Sequence, residues 1–247
     1  MDLPAIAAAI SPRTRAIIIN SPNNPTGRIY PASTLEGLAD VLLTASKQQG
    51  RPIFLLSDEA YSRIVYDGRA FPSPTAYYPS SFLLYTYGKT LLTPGQRIGY
   101  IALPPEMPGR EEIRPALTAS QMCTGFAFPN ALLQHALPDL EKLSIDIPRL
   151  QARRDRMVNA LRDMGFDVHV PEGTFYLLPR SPIADDWSFV ELMARQDVFV
   201  LPGSLVEMPG TFRLSLTASD EMVERALPRF EHAVRQVRSS QTASAAA

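Results

Sequence analysis

The chain is almost without cysteine. Cys123 is the single one, so no internal disulfide can form, and a reducing compartment such as the cytoplasm is expected. It also lacks an excess of either charge, with 24 Lys+Arg against 25 Asp+Glu and a net charge of -1. A nucleic-acid binder that works by massed positive charge is thereby excluded. No apolar run approaches the roughly 18 residues of a membrane-spanning helix. Residues 1–15 lack the basic-then-apolar pattern of a secretory leader, so none is expected. Histidine is scarce: His135, His169 and His232 stand far apart, none at ligand spacing, and no metal site is expected. What is plentiful is proline, 23 of 247 residues and spread along the chain. That distribution marks sharp loop starts rather than a disordered tract. The rest is ordinary for a soluble globular protein, with 45% hydrophobic and 20% charged residues. Length alone allows one large domain or two small ones.

The first half alternates short apolar runs with Pro/Gly-rich loops. Ala16-Ile17-Ile18-Ile19 is a β-branched run that stops at Asn20-Ser21-Pro22. Residues 35–47 have helical spacing, with Leu35, Leu38, Ala39 and Leu42 on one face. Strands are expected at 53–56, 82–86 and 98–103. Apolar strands without alternation, one pair separated by a helix, predict an α/β sheet covered on both faces. The second half opens with a long Arg-rich helical pattern over 147–164, read as a solvated connecting helix. Short strands at 167–170, 174–178, 198–201 and 212–215 follow, with helices at 187–196 and from about 220 to 238. The expected organisation is a larger domain over 1–147, a smaller α+β domain over 148–238 entered by the long helix, and a disordered tail over 239–247.

Three chemistry-bearing residues lie just beyond apolar strands. Asn24 follows the run at 16–20, Asp58 the run at 53–57, and Lys89 the run at 82–87. Ligands of open α/β sheets bind at the carboxyl ends of the strands. One crevice could then hold an amide, a carboxylate and an amine together. A lysine and an acid in a partly dry site is the layout of a Schiff-base enzyme, with the acid on a pyridinium nitrogen and the lysine on an aldehyde.

Asn23-Asn24-Pro25-Thr26-Gly27, then Ser57-Asp58-Glu59-Ala60-Tyr61, then Thr86-Tyr87-Gly88-Lys89 with Arg97 beyond it, then Phe212-Arg213-Leu214-Ser215 resemble the class I/II aminotransferases. These are pyridoxal-phosphate enzymes of fold type I. Each motif is moderately specific; four of them in family order and spacing form a strong signal covering residues 1 to about 238. The resemblance implies a three-layer α/β/α, mostly parallel sheet with a smaller C-terminal α+β domain. It implies pyridoxal 5'-phosphate as cofactor, an amino acid and a 2-keto acid as substrates, and a homodimer.

It also assigns roles. Lys89 matches the lysine that forms a Schiff base with the cofactor and then moves a proton at the substrate Cα. Asp58 matches the carboxylate that pairs with the pyridine nitrogen; read alone, it would be a turn cap. Asn24 and Tyr61 match the groups on the phenolic oxygen, and Ala60 a small residue against the ring. Thr86 and Arg97 match the phosphate holders, with Thr where many relatives carry Ser. Arg213 matches the fork that takes the substrate α-carboxylate, and Asn24 also counts among the substrate-binding residues. As Arg213 falls in the second expected domain, substrate is expected to bridge both and to favour closure. Leu205-Val206-Glu207-Met208 replaces the aromatic and glycine common in that loop. Cys123 and Tyr176 read as structural.

The Asn-Pro-Thr-Gly motif of the family normally lies well inside a longer chain, whereas here it begins at residue 24. The resemblance therefore implies a missing N-terminal portion that supplies a phosphate cradle, a ring-stacking aromatic and dimer contacts. An exposed sheet edge and an exposed core face are expected from that. Two alternatives stand beside the aminotransferase: a pyridoxal-phosphate lyase on the same fold, and a truncated relative with little activity alone.

Overall fold

The computed structural model describes residues 1–126 and 128–245. They fall into two compact units, Met1–Pro22 with Ile29–Ile145, and Asn23–Arg28 with the residues from Asp146 onward. The architecture is α/β, a mostly parallel sheet with flanking helices, followed by a smaller α+β unit.

The first unit runs α1 (Leu3–Ala9), β1 (Ala16–Asn20), α2 (Ala32–Gln49), β2 (Phe54–Asp58), β3 (Ser81–Thr86), α3 (Tyr87–Thr90), β4 (Gly99–Ala102), α4 (Arg110–Thr124) and α5 (Ala131–Leu140). The sheet order is β1-β2-β3-β4, with β1, β2 and β3 parallel and β4 antiparallel to β3. Side chains alternate along each strand and paired neighbours point the same way. Ile17, Ile19, Leu55, Leu83 and Tyr85 therefore share one face. Leu35, Leu38, Leu42 and Ala45 of α2 cover Ile19 and Leu55 there. Leu133 and Leu137 of α5 pack on Tyr85, Tyr87 and Ile98. Ile18, on the opposite face, is 70% exposed. Within this chain the cover of that face is thus incomplete, short of the cover on both sides that the apolar runs predict and in line with the exposed core face also expected. Apolar composition records which surface favours cover, not what supplies it.

The start of β2 is tied down by a buried hydroxyl. Tyr78 donates to the Ile53 carbonyl at 2.7 Å and pairs with the Ser46 hydroxyl, which accepts from the Ile53 amide at 2.9 Å. Tyr78→Phe keeps the ring and orphans a buried carbonyl. It is expected to destabilise the protein by about 1–2 kcal/mol in urea unfolding. An unchanged midpoint would show the hydroxyl to be dispensable.

The second unit holds α6 (Ile147–Asp163), β5 (Tyr176–Leu177), α7 (Asp186–Ala194), β6 (Leu201–Pro202), β7 (Phe212–Ser215) and α8 (Asp220–Ala245). The strands form an antiparallel sheet in the order β5-β7-β6. Its core is aromatic: Phe166, Phe189, Phe212 and Phe230 lie 4.8 to 6.1 Å apart by ring centroids.

Four expectations are corrected here. Residues 167–170 form no strand, because their carbonyls are taken elsewhere: Arg162 donates to Val168 and the Arg180 amide to Asp167. The strand at 198–201 shrinks to Leu201–Pro202. The closing helix does not stop near Arg238 but continues through Ala245, so residues 239–245 are helical rather than a disordered tail. The stretch holds no Gly or Pro to break it. Residues 246–247 of that expected tail lie outside the described residues. The Arg-rich α6 is not simply solvated either. Arg154 is 3% exposed and donates to the Pro171 carbonyl, while Arg149, Arg153 and Arg156 pair with Asp220 and Glu224 of α8.

Candidate functional site

In the first unit, strand register brings the candidate residues to one end of the sheet. Asn20 pairs with Asp58, and Asp58 with Leu84, two residues short of Thr86. Thr86 in turn pairs with Gly99 across the antiparallel β4. The carboxyl ends of β1, β2 and β3 are therefore level, the place where an open sheet binds ligands.

Each side chain there is fixed locally. The Asp58 carboxylate accepts from the Ala60 amide at 3.1 Å, so it also makes the turn cap expected of it. The Asp58 carbonyl accepts from Asn20 and from the Ser21 amide. Ala60 and Tyr61 follow and are buried. Thr86 is the N-cap of α3: its hydroxyl accepts from the Gly88 amide and donates to the Ile98 carbonyl, both at 3.3 Å. Lys89 is half-buried on α3, with its Nζ 5.7 Å from the centre of the Tyr61 ring. Arg97 is exposed and donates to the Pro94 carbonyl. Thr86, Arg97 and Gly99 line one cleft with Gln121, Phe126 and Phe128. A side chain at position 99 would meet the Tyr85 carbonyl at 2.3 Å, so glycine is what lets β4 approach Thr86.

Glu59, next to Asp58, is a separate buried acid. It accepts hydroxyl bonds from Ser57 at 3.0 Å and Ser73 at 2.6 Å. Burial pushes its pKa up, the two hydroxyls pull it down, and the charge of Asp58 adds to the rise. The folded chain then holds this proton to higher pH than the unfolded chain does. Its contribution to stability is whole below the ordinary glutamate range and is lost as pH climbs through the raised folded value. Glu59→Gln removes the ionisation and keeps an acceptor. As pH rises above the ordinary glutamate range its melting temperature is expected to fall less than that of the parent. Parallel curves would sink this assignment.

In the second unit lie Asn24 and Arg213. Residues 23–28 close on themselves: the Gly27 amide donates to the Asn23 carbonyl, and the Thr26 hydroxyl to the Asn23 side chain at 2.7 Å. Gly27 has φ +67, and a Cβ on it would meet Pro171 at 2.3 Å. Its carbonyl accepts from the amides of Glu172 and Gly173. Arg213, on β7, donates to the Asn24 side chain at 2.9 Å. Its guanidinium lies 4.3 Å from the centre of the Tyr176 ring. Tyr176 sits opposite Ser215 in the β5–β7 pair, so it is the diagonal neighbour of Arg213. Sequence reasoning had set Tyr176 aside as packing; the period-two register between the two strands was the signal that links them.

Among the described residues there is no group of three His, Cys, Asp or Glu that could hold a metal, and no helix long and apolar enough to cross a membrane.

Comparison with known proteins agrees with the motif order. The family model for aminotransferase class I and II matches residues 1–230. The chain is 32% identical over 240 residues to an aspartate/prephenate aminotransferase of Thermus thermophilus, covering 93% of this chain and 59% of that protein. It is 32% identical over 226 residues to an aspartate aminotransferase of Thermotoga maritima, covering 89% and 56%. A solved amino transferase from Eubacterium rectale superposes with a TM-score of 0.90 at 33% identity, over 96% of this chain and 60% of that one. The chain thus spans somewhat less than two thirds of the relatives it matches. With the matched region reaching from the first residue through α6 and into α8, the chain belongs to the class I and II aminotransferases.

Proposed function

We propose that this chain carries the lysine, the ring-nitrogen acid and the carboxylate fork of a pyridoxal-phosphate aminotransferase. The observation that carries the reading is the level carboxyl ends of β1, β2 and β3, with Asp58 on one and Lys89 just beyond another. The donor set fits the cofactor. A hydroxyl and a guanidinium, Thr86 and Arg97, line one cleft and suit a phosphate dianion. Asp58 would hold the pyridine nitrogen and Tyr61 the phenolic oxygen, and Ala60 leaves room for the ring. When bound, the cofactor supplies an electron sink for bond breaking at the substrate Cα.

The roles of the chain follow. Lys89 would hold the cofactor and carry the Cα proton. The Asp58 carboxylate keeps a facing ring nitrogen protonated. Arg213 binds the substrate carboxylate in the plane of its fork and so fixes where the Cα–H points. The proposed partners are an amino acid, a 2-keto acid and a second copy of the chain. The proposed compartment is the cytoplasm, in keeping with a lone, exposed Cys123.

The test is incubation with pyridoxal phosphate and a panel of amino acids, with and without 2-oxoglutarate. Aspartate heads the panel because relatives bear its name. Keto acid that forms stoichiometrically alone and catalytically with the acceptor supports the reading. Catalytic product without any acceptor would assign a lyase instead, and no product would refute both.

A further inference from the structure

The helix that carries Lys89 is four residues long, too short to hold its own shape. What fixes it comes from elsewhere in the first unit. Tyr87, 4% exposed, donates its hydroxyl to the Glu141 carboxylate. Arg63 binds the same carboxylate through Nη2 and reaches the Glu141 carbonyl through Nη1. The Arg63 guanidinium lies 5.0 Å from the centre of the Tyr85 ring, and Tyr85 and Tyr87 meet edge to face at 5.2 Å. On the other side of Lys89, the Thr90 hydroxyl pairs with that of Tyr85 at 2.7 Å, and the Thr90 carbonyl accepts from the Ile145 amide. Both flanks of Lys89 are therefore bonded, and two of the anchors lie in the segment 141–145 just after α5. The bonds from Tyr87 and Arg63 hold the Glu141 carboxyl below its usual range, as a shared acceptor should be.

We propose that Glu141 is a positioning residue for Lys89: through the Tyr87 hydroxyl, and braced by Arg63, it locks the helical turn that aims the lysine. The clamp is a property of the fold. Its consequence for chemistry rests on the aminotransferase reading. A single turn that frays would let the amine sample many directions, and misplacement of a reacting group by about an ångström costs on the order of a hundredfold in rate. Glu141 touches neither the amine nor any reacting atom.

Hydrogen exchange of the cofactor-free chain tests the clamp directly. The amides of Leu91, Leu92 and Thr93 bond to the carbonyls of Tyr87, Lys89 and Gly88, so they report on this turn. Tyr87→Phe keeps the ring and its packing. Glu141→Ala removes the acceptor. Each is expected to speed exchange of these amides by about tenfold or more, with the rest of the unit unchanged, and the double variant is expected to add nothing. Lys142→Ala, an exposed neighbour paired with Asp139, is expected to leave exchange unaltered. In parallel, the rate at which pyridoxal phosphate forms a borohydride-reducible adduct on Lys89 should fall about tenfold in Tyr87→Phe. It should fall likewise in Glu141→Ala, whereas Glu141→Gln, which retains an oxygen for Tyr87, should keep much of it. Unaltered exchange, or fully additive effects, would overturn the clamp. A parent chain that forms no adduct on Lys89 would overturn the aminotransferase reading, while the exchange result still decides the clamp.

Discussion

Lys89→Ala is expected to lower amino-group transfer by at least ~10,000-fold, about 5.5 kcal/mol of transition-state stabilisation. The size follows from two tasks falling on one side chain. In the proposed reading the amine would attach the cofactor and later move the proton at Cα, and no other amine shares its helix. The chain makes the experiment unusually clean, for it has only three lysines, Lys47, Lys89 and Lys142. Borohydride reduction in the presence of pyridoxal phosphate should mark Lys89, and peptide mass should show that mark vanish in the variant. Lys89→Arg separates charge from chemistry. A guanidinium keeps the positive charge but is never deprotonated at working pH, so it should be as inactive as alanine. Activity of Lys89→Ala within tenfold of the parent would remove the lysine from the mechanism.

Arg213→Leu is expected to cut kcat/KM for amino acids by about 100- to 10,000-fold, roughly 3–5 kcal/mol. The adduct at Lys89 should form as before. The contrast is expected because the proposed reading gives Arg213 the substrate carboxylate rather than the cofactor. Asn24 holds one of its nitrogens at 2.9 Å and Tyr176 lies against its face at 4.3 Å. Leucine replaces the planar donors with an apolar surface facing a charged group. Arg213→Lys should rescue little, since an ammonium offers neither a fork nor a plane to stack. The discriminating measurement compares an amino acid with the amine that lacks its carboxylate. Only the acid should lose rate. Equal losses would assign Arg213 to architecture.

The candidate residues differ in how much of them the sequence could reveal. Asp58, Thr86 and Lys89 were legible because each follows an apolar run, and the end of a run is a local signal. The partners were not. Tyr87 finds Glu141 across 54 residues, and Tyr176 finds Arg213 through register in a two-residue strand pair. No period in a single segment encodes such a choice. Helices α4 and α5 are hard to read because each carries an internal proline, Pro115 and Pro138, where a helix would be expected to break. The strand at 167–170 was overpredicted for the converse reason. Its alternation is real, with Val168 buried, but the Arg162 side chain and the Arg180 amide take carbonyls that a neighbouring strand would otherwise pair.

The segment Asn23–Arg28 has a consequence for how the molecule is assembled. It belongs to the second unit, yet Met1–Pro22 and Ile29–Ile145 on either side of it belong to the first. The bond from Arg213 to Asn24 closes a span of 189 residues. The entropy of closing a loop grows only as the logarithm of its length, so the bond is affordable once made. It is still among the contacts of greatest sequence separation, which form slowly and after local structure. During synthesis Asn24 must wait for β7, and the carboxylate fork is completed among the last features of the fold. A piece of the chain cut at residue 145 would keep Arg213 and Tyr176 but leave Asn24 behind.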